Sequence, residues 1–181
     1  PPTPLRDNAT PTPGQAATPE DAVKNPTTFY GAGAANGDWL KASNNQLWGY
    51  QNDFTKVQKT IYDPCPQGYM VADKRIWEGI AIHQLGNTWE RGLGTKITVS
   101  DYEIWYPIQG YIRTDGTSVA TGSEVRLWSS VVDINNSENP YELRYKSLSN
   151  NEDNKGIAYT SAETNRNVAL PVRCVSGHSI E

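Results

Sequence analysis

From residue 96 onward the chain breaks into short runs: TVSDYEIWYPI, GYIRTDG, EVRLWSSVV, YELRYKSL, GIAYTSA and ALPVRCV. Each is rich in Val, Ile, Tyr or Trp, and Gly, Asn, Asp and Ser punctuate the gaps, a pattern that predicts a string of mostly antiparallel strands. The preceding part has a different character. In TPEDAVKNP, residues 18–26, Thr18 can cap, Pro19 suits the first helical position, Glu20 and Asp21 favour the positive end, and Asn25-Pro26 stops the helix after one to two turns. A second helix is expected over Lys74 to Leu85, capped by Asp73 and ended by Gly86, with Ile76, Trp77, Ile80, Ala81 and Leu85 on one buried face. Two short helices followed by a loop-rich strand region give an α+β fold, and no internal repeat is visible.

Residues 1–17 hold five prolines and no periodic apolar pattern. They read as an extended linker tethering the domain, residues 18–181, to an upstream domain or anchor. The chain length of 181 suits one domain. The basic residues are scattered through a net charge of -4, which speaks against a nucleic-acid footprint. No apolar run approaches the length of a membrane span. Six Trp and ten Tyr accompany a mean hydropathy of -0.65. Such residues serve half-wet cores and ligand surfaces equally well, and core is the reading taken for most of them. Segment 29–53, rich in Gly, Ala and Asn, reads as loop or broken strand pinned by Trp39 and Trp48.

The two cysteines, Cys65 and Cys174, suit either a disulfide or two buried thiols, and spacing does not decide between them. Each borders an apolar stretch, GYMV after one and ALPV before the other, so each is expected at the edge of a core strand. These flanks favour a bridge, which would close a loop of about a hundred residues and stabilise by up to about 4–5 kcal/mol. A bridge implies an oxidising compartment, hence an extracellular or cell-surface location.

Five ordered elements carry a family resemblance. They are Asp63-Pro64-Cys65-Pro66 with Gly68, Tyr69 and Val71; Trp77 in the second helix; Tyr106-Pro107 with Gly110-Tyr111 and Arg113; Trp128-Ser129-Ser130; and Pro171-Val172-Arg173-Cys174-Val175. Together they resemble the Fibrobacter succinogenes major paralogous domain family, found in surface and fimbrial-tip-like proteins of Bacteroidetes-type bacteria. The resemblance implies a C-type lectin-like fold in which the paired cysteines staple the two ends of the domain. It departs at Ala72-Asp73, where the family continues with Pro-Thr, although Asp73 still provides a cap.

Catalytic constellations find little support. A nucleophile–histidine arrangement would have to use His83, inside the second helix, or His178, close to the chain end. The same two histidines make a zinc site poor. Carboxylate pairs are numerous but none sits in a suggestive motif. GAGAANG, residues 31–37, lacks the GK[ST] ending of a phosphate loop. In sugar-binding C-type lectins, the resemblance implies, a Trp-Asn-Asp triplet ligates calcium. Here the position reads Trp128-Ser129-Ser130, and serine replaces a carboxylate poorly at a hard cation, so no cofactor and no metal site is expected.

Two segments, VDINNSENPY at 132–141 and SLSNNEDNKGIAYTSAETNRN at 147–167, are crowded with groups able to hydrogen-bond sugars or protein backbone. The expected function is a non-catalytic recognition or adhesion module for a glycan or a host or bacterial surface protein. Its expected binding residues are Trp128, Asn135, Glu138, Tyr141, Asn151 and Asp153. A glycan-acting hydrolase and a structural cap or spacer are the alternatives.

Overall fold

The computed structural model describes residues 17–31, 37–49, 58–82, 88–90, 93–99, 101–119, 124–133, 139–147, 156–161 and 164–176. Helix α1, Pro19–Lys24, has the expected cap: the Thr18 side chain accepts from the Asp21 N–H, and the Asp21 carboxylate accepts from the Thr18 N–H. Helix α2, Lys74–Ile82, starts where the Asp73 carboxylate accepts the Arg75 N–H at 2.9 Å. The remainder of the helix expected to Leu85 lies outside the described residues. Trp77 on α2 is fully buried.

The DPC element owes its form to one carboxylate. Asp63 is buried, and its oxygens accept the N–H of Cys65 at 2.8 Å, the N–H of Val71 at 3.1 Å and the Lys59 ammonium at 2.7 Å. The first two bonds fold the turn back onto strand β1, Tyr69–Val71. Gly68 completes the turn with φ +81, a conformation that costs a Cβ-bearing residue. Strand β1 pairs antiparallel with the last strand, β10, Cys174–Ser176, and Cys65 is disulfide-bonded to Cys174 across a sequence separation of 109. Cys174 begins its strand as expected, whereas Cys65 sits in the bend before β1.

The intervening chain forms hairpins. Strands β2 (Thr88–Glu90), β3 (Gly94–Val99) and β4 (Tyr102–Pro107) make one antiparallel sheet, and β5 (Tyr111–Ile112) pairs with β6 (Ser118–Val119). The run at 98–108 therefore contains the end of one strand and the whole of the next, with a reversal at Asp101. Strands β7 (Glu124–Val132), β8 (Pro140–Ser147) and β9 (Gly156–Ser161) form a further three-stranded antiparallel sheet. The middle of β7 is tied to the stapled pair, since Trp128 N–H donates to Pro171 and Ser130 N–H to Ala72, each at 3.0 Å. Beyond Trp128 the register with β8 shifts. The core collects Ala72, Trp77, Ile97, Tyr106, Val125, Leu127, Leu143 and Tyr145, drawn from α2 and its approach and from β3, β4, β7 and β8.

One ion pair is sunk into this sheet. Arg126 and Glu142 meet through two hydrogen bonds of 2.7 and 2.8 Å; Glu142 is fully buried and Arg126 is 9% exposed. Thr164 Oγ1 bridges the pair at 2.6 and 2.7 Å, and the Tyr111 ring lies 4.6 Å from the guanidinium. A buried charge pair persists only when its polar atoms are partnered in this manner.

Candidate functional site

Beside the sheet edge formed by the second half of β7 lies a small cleft of about 60 Å³, open to solvent. One wall comes from the segment after Gly37, which has almost no regular secondary structure and is fixed by local bonds. The Asp38 carboxylate accepts the Leu40 N–H at 3.0 Å, closing a tight turn that presents Trp39 and Leu40. Ala17, buried, donates to Trp39 and accepts from Lys41, so the residue just ahead of α1 clamps this turn from outside. Further along, Asn44 Oδ1 accepts the Gln46 N–H at 2.8 Å and the Thr60 hydroxyl donates to the Leu47 carbonyl. Gly49 then turns with φ +94 so close to the Gln58 carbonyl that a Cβ has no room. Trp39, Leu40, Asn44, Asn45, Leu47 and Trp48 all face the cleft.

The opposite wall is Trp128, Ser129, Ser130 and Val132 of β7, with Pro140 of β8. Ser129 Oγ accepts the Val131 N–H at 3.1 Å. Ser130 is buried as well, at 4% exposure, and its hydroxyl has no hydrogen-bond partner among the described residues. Arg166 closes the cleft between the walls. Its side chain is 9% exposed, reaches Asp38 at 3.5 Å and donates to Asn45 Oδ1. The lining thus combines three indoles, two carboxamides, two hydroxyls and a guanidinium whose charge Asp38 largely offsets.

Of the residues expected from sequence to bind, Trp128 lines the cleft, although at 5% exposure most of its indole is core. Tyr141 lies beside it without lining it: its ring packs on Val131 and Val132 and carries the Lys74 ammonium 4.4 Å from its centroid. Asn135, Glu138, Asn151 and Asp153 lie outside the described residues, as do His83 and His178. Of GAGAANG only Gly31 and Gly37 are described. Among the described residues no cluster of three or more His, Cys, Asp or Glu side chains could hold a metal ion, and no helix is long and apolar enough to cross a membrane. Sequence reasoning did not assign Trp39, Asn44, Asn45, Trp48 or Arg166 to a site. The available signal was the pair of indoles flanking Asn44-Asn45 in DWLKASNNQLWG, a combination of stacking and hydrogen-bonding groups. Compared with family models, curated proteins and solved structures, the chain matches none.

Proposed function

We propose that this chain is a non-catalytic recognition module, secreted or held at a bacterial surface, whose ligand occupies the tryptophan-lined cleft. The observation that carries the reading is the cleft's chemistry. Indoles that are only half buried, carboxamides and a hydroxyl without a partner converge on one concave surface, the combination by which proteins hold small ligands and exposed polymer segments. Rigidity supports it too, because the β7 wall is hydrogen-bonded to Ala72 and Pro171, beside the β1–β10 pair that the Cys65–Cys174 crosslink ties. The crosslink also supports an oxidising compartment. The C-type lectin-like scaffold is part of the proposal. It is supported by the early helices, the pairing of β1 with β10 and the position of the disulfide across that pair.

Arrays of glycans and of host and bacterial surface proteins, probed with the native chain and with Trp48→Ala, test the reading. Trp48 is only partly buried and stands outside the core cluster, so its removal leaves the buried core in place. Specific binding by the native chain that Trp48→Ala loses is the expected result. Binding that survives this change and Trp39→Ala equally would place the ligand elsewhere. Attachment through no ligand at all would favour the spacer alternative.

A further inference from the structure

We propose that the cleft takes a neutral saccharide, held by indole stacking and by the Ser130 hydroxyl, with no metal ion between protein and sugar. This rests on the cleft being the ligand site.

The Ser130 hydroxyl is the starting point. Buried polar atoms are almost always partnered, and this one, on a cleft wall and without a partner among the described residues, is left to a ligand or to water. Ser129, next in the strand, has its Oγ engaged by the Val131 N–H, and the Ser130 backbone N–H is engaged by Ala72. The side chain of Ser130 is thus the group left over, on a wall of a cleft whose other polar contributors, Asn44, Asn45, Ser129 and Arg166, already carry bonds within the protein. A hydroxyl both donates and accepts, and the groups that answer it on the same terms are the hydroxyls around a sugar ring.

The rest of the cleft matches the remaining faces of such a ring. A pyranose carries an apolar C–H face, and Trp39 and Trp48 offer flat, half-buried indoles to receive it. Asn44 and Asn45 are carboxamides of the kind that read sugar hydroxyls, and they stand on the same segment as the indoles. Arg166 adds donors, and Asp38 behind it holds the local charge near balance, so the cleft does not select an anion. The lining includes no carboxylate to ligate a hard divalent cation, which separates this mode from the calcium-mediated contact of sugar-binding C-type lectins.

The test uses the full chain, isotope-labelled, with the indole N–H signals of Trp39 and Trp48 followed by NMR. The probes are neutral oligosaccharides of glucose, mannose, galactose and N-acetylglucosamine, acidic oligosaccharides carrying sialic or galacturonic acid, and proline-rich and mixed-sequence peptides. Each is added with EDTA in excess and again with calcium. At least one neutral oligosaccharide should shift both indoles, with the same affinity under either condition. Trp48→Ala should abolish the shift. Ser130→Ala should weaken it about threefold to tenfold, the effect of one neutral hydrogen bond. The melting temperature of Ser130→Ala should not fall, because the hydroxyl has no partner among the described residues; a purely structural serine would lower it and leave affinity alone.

Binding only to acidic sugars, or only with calcium, overturns the neutral, metal-free assignment. Peptides that shift the indoles where no sugar does overturn the saccharide assignment and leave the cleft as the binding site. If no probe moves either indole, both this inference and the functional reading it rests on fall.

Discussion

The buried Arg126–Glu142 pair makes a quantitative demand on how stability responds to mutation. Glu142→Leu alone leaves a guanidinium, 9% exposed and stacked on Tyr111, without the carboxylate that takes two of its hydrogen bonds. Arg126→Met alone leaves a fully buried carboxylate without its cation. Stripping one partner from such a pair costs about 3–5 kcal/mol, so the two single changes should sum to roughly 6–10 kcal/mol. Replacing both together removes charge and counter-charge at once and puts apolar surface on the sheet face where Trp128, the cross-strand partner of Glu142, is already buried. The double variant, with Thr164→Val to retire the bridging hydroxyl, should lie within about 2 kcal/mol of the native chain. Urea denaturation followed by circular dichroism and by Trp fluorescence, with the disulfide intact, measures all of these, and the slope m should be unchanged throughout. A combined variant that loses as much as its two single parents together would refute the account, because the pair would then be contributing as independent contacts.

Three further outcomes follow from other parts of the fold. Asp63→Ala strips the Cys65 and Val71 N–H groups of their acceptor, and since bonds to a charged group contribute about 1.5–3 kcal/mol each, the loss by chemical denaturation should be about 3–5 kcal/mol. Replacing Cys65 and Cys174 by Ser reopens a loop of 109 residues and should cost about 4–5 kcal/mol in the same assay. The carboxyls of Asp21 and Asp115 are held below their ordinary pKa values, Asp21 chiefly by the Thr18 backbone N–H and Asp115 chiefly by the Thr117 side chain. With the folded pKa below the unfolded one, whatever they contribute is present above about pH 4 and is lost as pH falls through the folded values. Carboxyl titration by NMR should therefore find both midpoints below about 3.9, and a midpoint at or above that value would contradict the bonding described.

Local chemistry was readable where it acts over a few residues. Thr18 and Asp21 announce a helix start from four positions, and Asp73 does the same for α2, because a cap is a short-range arrangement. The strand runs after residue 96 were readable for the same reason, but their partners were not. The antiparallel pattern of β1 fits any strand edge, and what places it beside β10 is contact across the whole domain. Strand β2 was hidden because its three residues, Thr88 to Glu90, stand between Asn87 and Arg91-Gly92, which read as loop. The cleft was the least readable part. Trp39 and Trp48 have no periodicity to betray a face, and an indole that pins a loop looks, in sequence, like one that stacks on a ligand. Arg166 sits among Thr and Asn residues that suggest a solvated turn, yet its side chain is 9% exposed because Asn45, 121 residues earlier, receives it.

The crosslink divides the molecule along a line that runs through the cleft. Trp39 to Trp48 precede Cys65 and lie outside the covalent ring, whereas Trp128, Ser130 and Arg166 lie within it. Tension drawn from the N-terminal side would reach the bonds of Ala17 with Trp39 and Lys41, then those of Arg166 with Asp38 and Asn45, before it met the ring. The outer wall would peel while the inner wall kept its shape, so any molecule gripped between them would be let go under load well before the stapled body unravelled.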